Sequence, residues 1–464
     1  MSNIKLDYNN MMQEAIGKHG FTKEQIAKEK NSMAKALETV LNSRGKGWQE
    51  WTELPYQKDK DLDDLITYCN GVREKADSFV ILGIGGSALG PLSVLNALLH
   101  LRHNELPKKQ RNAPRYYVED NIDPERMSAL LDCIDLKTSY FNVITKSGET
   151  SETLAQFLIL YDLLKKKLGV KTAKERIIVT TTIGKGRLFE IASAEGFKIF
   201  GVGEGVGGRF SVFSSVGLVP LAVCGVDIKA MLKGATNMAT SCMESEYSKN
   251  PALLSAFLQV KSMENGKNIS IMMPYADSLK FMADFYGQLW GESLGKAVNN
   301  NGKEVFVGQT PAKALGVTDQ HSQIQLYVEG PFDKVVTFIA VDKFRKTEMI
   351  ADDSTITGCC FLKGQTLNDL LNFERVATEF ALRKAGRPNF TIILSEVNAD
   401  TVGGLLMYFM YQTAFAGALL NIDTYNQLGV EEGKKATFAL LGRKGYEEKM
   451  TEIKSAKKSD DYVI

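Results

Sequence analysis

Residues 78–204 repeat one pattern: a short apolar run, a turn of glycine or small hydroxylated residues, then apolar positions at helical spacing. The runs are FVILG from Phe79, RYYVED from Arg115, YFNVIT from Tyr140, RIIVTTT from Arg176 and KIFGVGE from Lys198. Strands that are apolar throughout, rather than at alternate residues, are buried on both faces. Helices between successive strands then act as crossovers, so the pattern predicts a parallel sheet covered on each side. Helical sequence follows at 227–243 and 252–265, and a second series of strands at 269–275 (ISIMMPY), 334–341 (KVVTFIAV) and 390–397 (FTIILSEV). The chain therefore reads as α/β, with two such domains in tandem at 61–240 and 241–464. An N-terminal helical arm, 1–60, carries Trp48 and Trp51 and few strand signals. After Gly442 the sequence is charged and reads as a solvated helix with a frayed end. Segment 402–420 is almost wholly apolar and about as long as a membrane span. Gln412 and Thr413 in its middle, and no flanking basic cluster, predict instead a helix buried in the core or in a subunit interface.

Charge and cysteine content narrow the function classes. The 56 basic and 55 acidic residues nearly cancel, which gives no electrostatic case for nucleic acid or an anionic membrane as the main partner. Any anion site must be local. Six cysteines and four histidines lack metal-ligand spacing, so the thiols are expected reduced and buried and no metal is expected. The polar N-terminus has no apolar signal core, which implies a cytoplasmic protein.

Six stretches carry candidate chemistry. In 140–156 (YFNVITKSGETSETLAQ) a strand gives way to a helix through Thr145, Lys146, Ser147 and Thr150, with Thr153 in the first helical turn. Free N–H groups, the helix dipole, a lysine and several hydroxyls suit an anion; an ordinary capped helix start is the alternative. The turn Gly83-Ile-Gly-Gly-Ser-Ala-Leu-Gly90, with Gly86 and Ser87, also follows a strand. Ligands bind at the carboxyl ends of parallel strands, so both turns should open onto one crevice. A dinucleotide turn looks similar, but the GxGGSxxG spacing argues against NAD. Arg209 follows paired glycines in 205–217 and could hold an anion or form a structural ion pair. A helical 286–296 puts Gln288, Glu292 and Lys296 on one face, where Glu292 and Lys296 could be a mere surface pair. His321 lies amid polar residues in 318–323, open to catalysis or to structural hydrogen bonding. In 424–434, Gln427 and Lys434 share a face if the segment is helical, and Glu431 with Lys435 could be another surface pair.

Taken in order, GIGGSALGP, TKSGETSET, VGGRFSVFSSVGLVPLA, QLWGESLGK, TDQHSQIQLYVEGP and YNQLGVEEGKK closely resemble the glucose-6-phosphate isomerase (phosphoglucose isomerase) family, over about residues 75 to 440. The resemblance implies two sugar-isomerase (SIS) domains, each a parallel β-sheet sandwiched by α-helices, with the site between them and a homodimer as the unit. It implies reversible isomerisation of glucose 6-phosphate to fructose 6-phosphate through a cis-enediol(ate), in glycolysis and gluconeogenesis, without cofactor. By motif position Thr145, Lys146, Ser147 and Thr150 bind the phosphate, Gly86 and Ser87 line the sugar, and Gln288 and Gln427 lie near it. Glu292 matches the base that moves a proton between C2 and C1, Arg209 the enediolate stabiliser, and His321 and Lys434 the ring-opening pair, with His321 reaching in from the neighbouring subunit. Glu149 departs from the family's usual small hydroxyl residue and is expected to point away from the phosphate; Thr145 for serine and Phe213 for tryptophan are milder changes. A dual phosphoglucose/phosphomannose isomerase, a non-catalytic SIS-type sugar-phosphate sensor and an NAD-dependent dehydrogenase are the competing readings.

Overall fold

A computed structural model describes residues 3–352, 357–456 and 458–464. Its strands are β1 (Ile4–Asp7), β2 (Ser78–Leu82), β3 (Arg115–Glu119), β4 (Ser139–Ile144), β5 (Ile177–Thr181), β6 (Lys198–Gly201), β7 (Ile269–Pro274), β8 (Lys296–Val298), β9 (Glu304–Val307), β10 (Thr310–Lys313), β11 (Lys334–Lys343) and β12 (Asn389–Glu396). They form two five-stranded sheets, ordered β3-β2-β4-β5-β6 and β1-β12-β11-β7-β10, with β8 and β9 as a separate hairpin.

The first sheet is parallel throughout. Its central strands β2, β4 and β5 are buried at every residue, as continuous apolar runs require, while β3 and β6 are partly exposed edges. The second sheet is parallel from β12 to β10, but β1 joins its edge antiparallel, with Ile4 opposite Leu394. The arm expected to be helical thus begins with a strand, and the four-residue IKLD is too short for its alternation to announce itself.

The apolar segment near the C-terminus is the helix Ala399–Leu419, buried at every residue from 401 to 417. It lies backbone to backbone on the helix Ile228–Cys242: a Cβ on Gly234 would come 1.8 Å from the carbonyl oxygen of Asp400, and one on Gly403 2.0 Å from that of Met231. Several of its polar groups bond inside the protein. Gln412 Nε2 donates to Ser255 Oγ at 3.0 Å, as does the Tyr408 hydroxyl at 2.6 Å, and Thr413 donates to the Phe409 carbonyl at 2.8 Å. This is a core helix, and the largest apolar cluster extends from it to both sheets and the N-terminal arm.

Two expectations need correction here. Cys69, Cys224 and Cys242 are buried as expected, but Cys133, Cys359 and Cys360 are exposed. The helix Lys280–Leu294 stops before Lys296, which opens β8, because Gly295 ends it. The charged tail does contain an exposed helix, Glu447–Ser455, packed against Leu428–Leu440.

Candidate active site

The two turns singled out by sequence follow β2 and β4, neighbours in the first sheet. After β2 the chain enters the helix Gly86–Leu98 through Gly85, at φ +56°, a conformation side chains resist. A Cβ on Gly85 would stand 3.1 Å from Gln288 Nε2, and one on Gly86 2.2 Å from the Gly208 carbonyl. Glycine here lets the turn after β2 close onto both the Arg209 turn and the helix bearing Glu292.

After β4, residues 145–150 gather hydroxyls. Thr145 Oγ1 lies 2.7 Å from Thr150 Oγ1 and 3.4 Å from Ser147 Oγ. Thr150 is the N-cap of the helix Ser151–Leu168, yet its side chain makes no capping bond, so the first-turn N–H groups keep their capacity for an anion. Lys146 Nζ donates to the Glu204 carbonyl at 2.6 Å and lies 4.4 Å from the centre of the Trp48 ring. Burial pulls its pKa below the usual lysine value, against the opposing pull of Glu50 and Glu204. Glu149 turns elsewhere: Oε1 accepts from the Arg187 N–H at 3.1 Å and Oε2 from Arg443 Nη2 at 3.0 Å. The carboxylate is thereby engaged by donors of its own.

Arg209, only 2% exposed, is held at two nitrogens. Nε donates to Ser293 Oγ and Nη2 to the Thr424 carbonyl, each at 2.6 Å. The remaining Nη1 has no hydrogen-bond partner and lies 3.5 Å from Glu292 Oε1. Burial lowers the pKa of Arg209 while Glu292, Tyr425 and Asp423 oppose it; a guanidinium keeps its charge regardless. An aromatic wall fixes the turn, with Phe210 5.2 Å from Trp51 and 5.4 Å from Tyr425 between ring centres. The second Glu292 oxygen accepts from Gln288 Nε2 at 3.0 Å.

Lys296 is not the carboxylate partner its spacing suggested. Its ammonium donates to two backbone carbonyls, of Glu292 at 3.2 Å and Asn426 at 2.6 Å. That ties the Glu292 helix to the segment bearing Gln427, the half-buried N-cap of Leu428–Leu440.

Glu292, Arg209, Gln288, Gly86 and the neighbouring Ser87 are thus brought together, with the 145–150 turn on the adjacent strand. Neither His321 nor Lys434 makes a hydrogen bond or ion pair to any of them within one chain. His321 is exposed at the end of the short turn Thr318–His321, and Lys434 is exposed and paired with Glu431 at 2.8 Å, not Glu431 with Lys435 as expected. Sequence reasoning missed Ser293, Trp48 and the Thr424 carbonyl. Ser293 sat inside a quoted motif; a backbone acceptor leaves no side-chain signal.

The arrangement puts hydroxyls and a lysine beside the first turn of a helix at one sheet end, a setting that suits an anion, and elsewhere a carboxylate beside a buried permanent cation. The model of the family described as phosphoglucose isomerase matches residues 66–459. The chain is 49% identical over 462 residues to a glucose-6-phosphate isomerase of Carboxydothermus hydrogenoformans, covering 99% of each. It is 40% identical over 449 residues to one of Rubrobacter xylanophilus, covering 96% of this chain and 100% of that one. A crystal structure of a hypothetical protein from Thermus thermophilus superposes with TM-score 0.85 at 32% identity, over 94% of this chain and 99% of that one. A glucose-6-phosphate isomerase structure from Chlamydia trachomatis, at 20% identity, shares the fold with TM-score 0.82 over 95% and 89% of the two chains.

Proposed function

We infer the reaction and its residues from one premise: the chain belongs to the phosphoglucose isomerase family. It interconverts glucose 6-phosphate and fructose 6-phosphate, and no observation favours the sensor, the phosphomannose isomerase or the dehydrogenase. The phosphate goes to Thr145, Lys146, Ser147 and Thr150, where the hydroxyl cluster and free helix N–H groups support it. Gly86, Ser87, Gln288 and Gln427 border the sugar. With the chain opened, the Glu292 carboxylate removes the proton from C2, the C2 hydroxyl proton passes to O1, and Glu292 returns its proton to C1. The intervening cis-enediolate carries a negative oxygen, and Arg209 Nη1 is the donor for it.

The single observation that carries this reading is the Arg209 guanidinium: buried, fixed at two nitrogens, and leaving one free beside Glu292. A donor that must not reorganise as charge develops is what stabilises an oxyanion best.

His321 and Lys434 exchange protons at the ring oxygen and the C1 hydroxyl to open the cyclic sugar, and His321 comes from a second copy. Support lies in its surroundings. Gln320 Nε2 donates to Glu374 Oε2 at 2.9 Å, which pins the His321 turn to the helix Leu367–Lys384. That helix leaves Phe373, Val376 and Phe380 57%, 51% and 63% exposed along one face. A second copy covering such a face would bury it and bring the histidine turn along. The free thiols of Cys69, Cys133, Cys224, Cys242 and Cys359 suit a reducing, cytoplasmic setting.

A coupled assay with Glu292→Gln beside the parent tests the assignment. The variant should keep sugar-phosphate affinity and lose turnover by about three orders of magnitude or more. Near-parental turnover would remove Glu292 as the base.

A further inference from the structure

Glu149 occupies a phosphate turn, where an unengaged carboxylate would repel the ligand, and both of its oxygens are in use. Oε1 is anchored on the N–H of Arg187, the first residue of the helix Arg187–Glu195. Oε2 reaches Arg443, 294 residues on in the chain.

Arg443 is built into the end of the helix Leu428–Leu440. Gly442 before it has φ +72°, the left-handed residue that closes a helix, and the Arg443 N–H donates back to the Phe438 carbonyl at 2.9 Å. Its guanidinium lies 4.4 Å from the centre of the Phe438 ring and 6.0 Å from that of Tyr446. Phe438 is one helical turn beyond Lys434. The helix has little else to hold it: Ala439 is its one buried residue, while Leu428, Val430 and Leu440 are exposed. Among the described residues, no other ion pair joins Leu428–Leu440 or Glu447–Ser455 to the rest of the chain.

We propose that Glu149 and Arg443 are positioning residues: their ion pair docks the Lys434-bearing helix on the phosphate turn, so the bound phosphate and the ring-opening lysine share one reference point. This rests on the roles given above to the 145–150 turn and Lys434. A dianion held by Thr145, Ser147 and Thr150 adds negative potential beside Glu149, which strengthens the hold on the Arg443 cation. Binding the phosphate therefore tightens the seat of Lys434.

The test uses the full chain as Glu149→Gln, Arg443→Gln, the double variant and Arg443→Lys. Glutamine keeps the acceptor for the Arg187 N–H, so the turn itself is preserved. With fructose 6-phosphate each single variant should lose about tenfold in kcat with KM changed less than about twofold. The double variant should be no worse than the poorer single, and Arg443→Lys should recover most of the loss. Multiplying losses, or a raised KM at unchanged kcat, would overturn the proposal. Hydrogen exchange with inorganic phosphate gives an independent readout. Phosphate should slow exchange at 145–153 and 428–441 in the parent, and only at 145–153 in Glu149→Gln. Protection confined to the turn in the parent would refute the tether alone. An unprotected turn would refute the phosphate site and the tether with it.

Discussion

Lys146 combines three constraints that rarely meet in one lysine: it is half-buried, it donates to a backbone carbonyl, and it lies against the exposed ring of Trp48. Burial lowers its pKa, and only its protonated form attracts phosphate. The sign follows directly. As pH rises through that depressed pKa the ammonium is lost, so KM for both sugar phosphates should climb on the alkaline side, below the ordinary lysine range, while kcat holds. A KM profile against pH checks this, and Lys146→Arg, which cannot deprotonate there, should flatten the climb. At this scale the sequence singled out the groups to which the proposed reaction gives side-chain roles. Glu292, Arg209 and the hydroxyls of 145–150 were all legible because few residue types can do their work. The supports were not legible: Ser293 looks like any helical serine, and the Thr424 carbonyl has no residue identity at all. Glu149 shows the other side of this. Its type suggested a conflict with phosphate, and only its partners, distant in the chain, remove that conflict.

Elements were legible where they are long and uniformly apolar. The stretch 227–243 became the helix Ile228–Cys242 with Asp227 as its cap, its carboxylate accepting from the Ala230 N–H at 2.9 Å. β1 and β10 escaped because four residues, with Pro311 inside β10, carry too little pattern to separate from a loop. Lys296 misled because helical spacing was carried through Gly295, the point where the backbone stops being helical. The helix Ala399–Leu419 is the element on which the others converge. Its apolar length alone suits a membrane, but Gln412 and Thr413 bond inside the protein, so its apolar residues are core. Leu406 is fully buried there. Leu406→Ala should cost about 3 kcal/mol of stability, through lost burial and the cavity left behind. Urea denaturation should show that loss; an effect below about 1 kcal/mol would mean the site is not close-packed.

At the scale of the molecule, order carried the information. Six motifs in sequence specified the family, and the α/β architecture followed from the alternation of apolar runs. What a single sequence cannot express is which copy of the chain supplies a group. His321 is exposed and makes no hydrogen bond or ion pair to Glu292 within one chain, yet its turn is fastened to a helix with an uncovered apolar face. If a second copy covers that face and delivers the histidine, every active site is composite, and subunits that fail for different reasons can complement each other. His321→Asn and Glu292→Gln should each be nearly inactive alone. Mixed at random from equal amounts, half the dimers are hybrids, and each hybrid holds one site with both native groups and one with neither. Such a mixture should recover about a quarter of parental activity, because one site in four is intact. If Glu292 and His321 of the same chain served one site, no hybrid would contain an intact site and mixing would restore nothing. The assay therefore separates the two arrangements by presence or absence of activity, and Phe380→Glu should abolish the recovery by placing a charge on the face that the second copy must cover.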